Sequence, residues 1–261
     1  PLRYPGGKSR AAKKLFDYVP SGTKTLCSPF FGGGSFEIYC AQNGIQVRGY
    51  DVFESLVFFW QELLNSPKKL ADKVATYKPG EFSKEQFYNL QKSHPDTTDP
   101  FMSAVEFYVL NRTSFSGSTL SGGMANYKGI NPRFTESSIE RIRNFKVKNI
   151  ISVEKKDFTK SINLKKHKND LLYLDPPYLI ENNLYGNKGD LQKNFKHDKL
   201  LIELKKRESW ILSYNDSDVI RSMYEEFQFA EPEWSYGMSK SKKSKEILIL
   251  SNDLPLPKSK K

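Results

Sequence analysis

Cysteine and histidine are scarce in this chain, two and three residues among 261. So few thiols exclude a disulfide framework, and Cys27 and Cys40, each inside an apolar stretch, read as buried thiols of a reducing compartment. No metal centre is expected, because two Cys and three scattered His do not provide the ligand groupings that metal sites use. Long hydrophobic runs are missing too. None approaches the roughly 20 apolar residues that cross a bilayer, and the first residues show no secretory pattern, so a soluble, cytoplasmic protein is expected. Acidic residues are the minority charge, 30 Asp and Glu against 41 Lys and Arg, a net +11. That balance suits a polyanionic partner such as nucleic acid and disfavours an acidic small molecule. What is present is a sufficient core: 38% hydrophobic residues with three Trp suit one medium domain or a domain carrying a large insertion.

Ala12, Leu15, Phe16 and Val19 recur at helical spacing behind Ser9, read as the N-cap, which predicts a helix over residues 9–19. Residues 25–30 read as a buried strand running into the turn Phe31-Gly32-Gly33-Gly34-Ser35, then a helix over 36–43 that Gly44 closes. A second strand over Gln46–Asp51 and a helix over 52–64 complete the alternation of a parallel α/β sheet. Between 66 and 144 the pattern changes. Helices are predicted over 67–77, 83–93 and 100–110, followed by a polar stretch, 111–134, with too many small polar residues for a packed element and too many aromatics for a plain linker. A binding loop is expected there. Strands at 150–153, 171–175, 210–214 and 246–251, with helices at 199–206 and 218–226, continue the first sheet. The Lys-rich end, 255–261, reads as a disordered tail.

Three segments carry chemistry. Asp175-Pro176-Pro177-Tyr178 follows the apolar strand Leu171-Leu172-Tyr173-Leu174. A carboxylate at the carboxyl end of a parallel strand stands where open α/β sheets bind ligands. Two prolines extend neither a helix nor a central strand, so the chain becomes a stiff turn whose carbonyls face no competing amide donors. The Asp175 carboxylate and Pro176 carbonyl can then accept both N–H groups of a planar exocyclic amine, directing its lone pair at an electrophile, with Tyr178 stacked on the ring. The second segment, Ser28-Pro29-Phe30-Phe31-Gly32-Gly33-Gly34-Ser35-Phe36, brings backbone close to a ligand, and Asp51 at the next strand's end suits ribose hydroxyls. It matches neither the P-loop nor GxGxxG, which disfavours an ATPase or a dehydrogenase. The third, Arg3-Tyr4-Pro5-Gly6-Gly7-Lys8, precedes a helix, and its amides and ammonium suit an anionic group.

In that order, these segments resemble the Dam-type (D12 class, α group) DNA adenine N6-methyltransferases over nearly the whole chain. The resemblance implies a Rossmann-like α/β methyltransferase fold, residues 1–61 and 149–261, with a mainly helical target-recognition insertion over 62–148. It implies S-adenosylmethionine (AdoMet) as methyl donor, held by Tyr4, Lys8, Pro29, Phe30, Gly32, Gly34, Ser35, Asp51 and Asp175, with Asp157 and Phe158 against its adenine. Asp175, Pro176, Pro177 and Tyr178 are then catalytic, acting on an adenine flipped out of double-stranded DNA. Ser28 stands where many relatives carry an acid, and Tyr4 where Dam enzymes commonly carry Trp. Asn111, Arg112, Ser114, Ser116, Lys128 and Arg133 are the candidate DNA contacts, and the Lys-rich run 240–245 a further one. A restriction endonuclease of the same system, not stably bound, is a conceivable partner. Two alternatives stay open: an RNA or protein amide methyltransferase, and a catalytically silent AdoMet-binding regulator of DNA. A cytosine N4 enzyme would more often carry Ser in place of Asp175.

Overall fold

Short apolar runs bounded by turn residues become strands of one sheet. The structure, a computed structural model, describes residues 1–4, 7–125, 133–179, 195–232 and 246–257. The strands are β1 (Thr25–Ser28), β2 (Gln46–Asp51), β3 (Ile150–Lys155), β4 (Leu171–Leu174), β5 (Trp210–Asn215), β6 (Gln228–Ala230) and β7 (Glu246–Leu250), in the order β3-β2-β1-β4-β5-β7-β6. β1 runs parallel to both neighbours, with Leu26 beside Val47 on one side and Leu171 on the other. β7 runs antiparallel to β5 and β6. From β1 the chain crosses over toward β2, and from β4 toward β5, so these two adjacent strands send their crossovers opposite ways. A cleft opens at the carboxyl ends of such a pair. The expected Rossmann-like α/β class is found.

The helices are α1 (Ala12–Phe16), α2 (Ser35–Gln42), α3 (Glu54–Asn65), α4 (Pro67–Ala75), α5 (Lys84–Ser93), α6 (Pro100–Thr113), α7 (Glu136–Arg143), α8 (Phe158–Ser161), α9 (His197–Leu204) and α10 (Asp218–Met223). They cover both faces of the sheet. Phe36, Leu56, Trp60, Tyr108, Ile139 and Tyr173 share the core on one face, and Tyr50, Leu172, Leu174, Leu200, Trp210 and Ile220 the core on the other. The helices between α3 and β3 belong to the first of these cores. α6 lies along α3, with Tyr108 stacked on Phe59 at 5.4 Å, and α4 packs on α7. The expected boundary at residue 62 falls inside α3, whose buried face serves sheet and insertion together.

Three local expectations are corrected. The first helix begins at Ala12, and Ser9 is exposed and caps nothing, because the N–H groups of Ala11 and Ala12 already bond the Lys8 carbonyl. α6 runs three residues past 110, since Asn111, Arg112 and Thr113 are buried and Thr113 Oγ1 bonds back to the Val109 carbonyl at 2.7 Å. α7 was not foreseen. Thr135 and Ser138 form a reciprocal cap at its start, and Ile139 and Ile142 are the apolar residues of its buried side, beside the buried Ser138.

Candidate active site

Aromatic rings shape the glycine turn after β1. Trp60 Nε1 donates to the Gly32 carbonyl at 2.9 Å, and the Gly32 N–H donates to Asp51 Oδ2 at 3.0 Å. The Phe53 N–H donates to the other Asp51 oxygen at 3.0 Å. Burial raises the Asp51 pKa above the usual carboxylate range, and these backbone donors pull it back. A Cβ on Gly33 would stand 2.7 Å from Tyr4 Cβ, and one on Gly34 2.8 Å from the Trp60 ring. Gly34 also adopts φ +63°. The bareness of the turn therefore first admits Tyr4 and Trp60. Tyr4 lies across it, its ring against Gly32 and Gly33 while 38% of the residue stays exposed.

Beneath the turn, Ser28 Oγ donates to Glu37 Oε1 at 2.7 Å, both side chains buried. Burial pushes the Glu37 carboxyl up to about 7, the Ser28 bond opposing it; more weakly, Asp175 adds to the rise and Lys8 counters it. An acid thus does lie below the turn, supplied by α2 while β1 ends in Ser28.

β4 stops at Leu174 because Pro176 and Pro177 follow, and Asp175 leaves the sheet at the cleft. The Lys8 ammonium, 3% exposed, donates to Asp175 Oδ1 at 2.9 Å, Tyr178 Oη at 2.7 Å and Glu246 Oε1 at 3.3 Å. The Tyr178 hydroxyl in turn donates to Glu246. One cation therefore joins two carboxylates and a phenol, the four residues coming from three separate parts of the chain. Burial raises the Asp175 pKa, Lys8 opposes the rise, and Glu246 adds to it. The Tyr178 ring stands 6.1 Å from that of Tyr214, whose hydroxyl meets His197.

On the other side of the turn, Phe30, Phe158 and Phe195 gather with ring centroids 5.3–5.6 Å apart. Asp157 caps α8, accepting from the Thr159 N–H at 2.9 Å. Pro29 is buried, and Ser35 opens α2 half-buried. The turn, Asp51, Asp157, Phe158, Tyr4, Lys8 and the Asp175 corner thus surround one end of the sheet. Pro5, Gly6, Lys128 and the run 240–245 lie outside the described residues.

The loop after α6 requires a correction. Asn111 and Ser114 are fully buried and Arg112 is 8% exposed, so none of the three faces outward as a DNA contact. Asn111 bonds the backbone of Arg3, and Arg112 donates twice to the Arg133 carbonyl, at 2.9 and 2.6 Å. Their polar groups close the loop on itself. Ser116 is exposed at φ +54°, Arg133 is half-buried, and Phe115, which composition did not single out, is 65% exposed. Burial and the neighbouring guanidiniums of Arg133 and Arg112 lower the Arg3 pKa, which marks a shared cationic patch.

Sequence reasoning also missed Glu37, Phe195 and Glu246. Glu37 left a signal, a charge on the inward side of a helix that follows a glycine turn. Phe195 and Glu246 left none, because only the fold carries Phe195 to Phe30 and Phe158 and Glu246 to the corner. Among the described residues no three or more His, Cys, Asp or Glu side chains gather as a metal site, and no helix is long and apolar enough to cross a membrane.

The sequence pattern of the D12 class N6 adenine-specific DNA methyltransferase family fits residues 4–238. The Type II methyltransferase M.CviBI of Paramecium bursaria Chlorella virus NC1A is 24% identical over 181 residues, 68% of each chain.

Proposed function

The chain belongs to the D12 class N6 adenine-specific DNA methyltransferases, and from that premise we propose that it transfers the methyl group of AdoMet to N6 of an adenine turned out of double-stranded DNA. The observation that carries this reading is the corner itself: a carboxylate followed by a proline, at the switch point of the sheet, with an ammonium bonded to the carboxylate.

The side chains present fit the cofactor. Flat faces of Phe30, Phe158 and Phe195 suit a purine, Asp51 at its strand end suits a diol, and Lys8 with Asp175 offers both signs of charge to a zwitterionic amino-acid end. Bound there, AdoMet supplies a strongly electrophilic sulfonium methyl. Asp175 accepts one N–H of the target amine and the Pro176 carbonyl the other, which turns the nitrogen lone pair toward the methyl and stabilises positive charge growing on N6. Burial raises the Asp175 pKa, and Lys8 opposes that rise. Tyr178 offers its ring to the base, held from behind by Tyr214 and at its hydroxyl by Glu246.

Residues 62–148 act as the target-recognition insertion on the catalytic part. Arg3, Arg133, Ser116 and Phe115 present a cationic and aromatic surface to the duplex. The likeness to a Type II methyltransferase supports a restriction-modification setting, with a restriction endonuclease acting on the same sites and no stable complex between them.

Methyl-labelled AdoMet, offered with duplex DNA, transcript RNA and peptide in parallel, tests the reading after digestion to monomers. Label in N6-methyldeoxyadenosine is expected. Label in RNA or peptide alone, or none at all, overturns it.

A further inference from the structure

The segment that lays Tyr4 on the glycine turn and brings Lys8 to Asp175 is gripped from the insertion. Asn111, at the end of α6, accepts from the Arg3 N–H at 3.0 Å through Oδ1 and donates to the Arg3 carbonyl at 2.7 Å through Nδ2. The same Nδ2 donates to the Gly117 carbonyl at 3.3 Å. A fully buried amide thus bonds both backbone groups of one residue and one of the loop, leaving neither of its ends unsatisfied. The loop backbone itself touches Arg3: a Cβ on Gly117, which has φ +81°, would stand 2.2 Å from the Arg3 carbonyl oxygen. Directly beyond Arg3, Tyr4 crosses Gly32 and Gly33. The Gly7 N–H donates to the Tyr4 carbonyl at 3.0 Å, and Lys8 follows.

We infer that Asn111 is a positioning residue for the cofactor cradle: by clasping Arg3 it sets how Tyr4 lies on the glycine turn, and so makes AdoMet affinity depend on the insertion. The inference rests on the reading above that this cradle takes AdoMet. It assigns Asn111 a role other than direct contact with DNA.

The test measures AdoMet dissociation constants by calorimetry on the full chain, for wild type, Asn111→Ala, Gly117→Ala, Tyr4→Ala and the Asn111→Ala/Tyr4→Ala double variant. Asn111→Ala is expected to weaken AdoMet about tenfold, as loss of these hydrogen bonds implies, and to raise KM for AdoMet to match. Its kcat at saturating cofactor and DNA should stay within about threefold of wild type, since the clasp touches no reacting atom. In the Tyr4→Ala background the same substitution should cost less than about threefold, because Asn111 acts through the residue already removed. A structural role alone would lower the unfolding temperature and leave the two affinity losses multiplying in full, which overturns the inference. Gly117→Ala presses on Arg3 from the loop side and should weaken AdoMet in the same direction. If Asn111→Ala does not fold, wild-type affinity in Gly117→Ala overturns the inference and weakened affinity upholds it. Failure of wild type to bind AdoMet would instead sink the functional reading, a separable outcome.

Discussion

The corner after β4 and the loop after α6 are both polar stretches leaving a buried element, yet their polar groups point opposite ways. At the corner, Asp175, Tyr178 and Glu246 converge on one ammonium at the edge of the cleft, and Asp175 keeps 23% of its side chain open. In the loop, Asn111 and Arg112 turn inward onto backbone carbonyls, and Gln91 reaches across to the carbonyls of Thr119 and Gly122 at 2.7 and 2.9 Å. Among the described residues the loop shows Phe115, Ser116, Leu120, Ser121 and Gly123 to solvent, Phe115 by far the largest apolar group of these. Polar residue type thus marks chemistry where side chains meet one another, and marks scaffolding where they meet backbone.

Lys8→Ala should break the corner from its cationic side. It leaves the half-buried Asp175 and the buried Glu246 carboxyl without their shared cation, for a loss of about 3 kcal/mol of stability and at least about 100-fold in turnover. The acid limb of kcat tests the electrostatics. In the proposed mechanism transfer needs Asp175 as carboxylate, so activity should be lost as pH falls through a pKa that burial holds above its ordinary range. Removing Lys8 takes away the influence that lowers this pKa, and the limb should move to higher pH.

Glu37→Gln should show itself in stability. The Glu37 carboxyl lies at about 7 when folded, above an ordinary 4.5. Its neutral form is therefore favoured by folding, and its contribution is full below about pH 4.5 and lost as pH rises through 7. The variant should melt higher than wild type at pH 8, by up to roughly 3 kcal/mol at about 1.4 kcal/mol per pH unit, and the gap should close toward pH 5. A constant gap would place Glu37 outside this account.

Phe115→Ala sharpens the loop side of the comparison. The ring is 65% exposed, so melting should not change, while transfer to duplex falls about tenfold, as loss of one stacked ring implies, and AdoMet affinity holds. Tyr178→Phe is the mildest change. It keeps the ring and removes the hydroxyl between Lys8 and Glu246, for about a fivefold loss of turnover.

The sheet was legible because β1, β2, β4, β5 and β7 are buried, β-rich runs closed by turn residues, and periodicity reads such runs directly. β6 is three half-buried residues and carries no such pattern. The strand-end residues Asp51 and Asp175 and the glycine turn were legible for the same reason, since a strand's end is a local feature. Lys8 was legible as a cation, but its meeting with Asp175 and Glu246, 167 and 238 residues away, is a property of the sheet order. Asn111 was misread because three polar residues in a row look like a loop, and nothing local reveals that α6 continues through them into a buried contact with Arg3.

Asp175→Asn, followed in a single turnover with saturating AdoMet and duplex DNA, examines the corner most directly. The carboxylate's charge is lost while its shape is kept, so transfer should slow by about a thousandfold or more while AdoMet affinity stays within about threefold. A variant that transfers methyl within tenfold of the wild-type rate would contradict the assignment of Asp175 and, with it, the proposed mechanism.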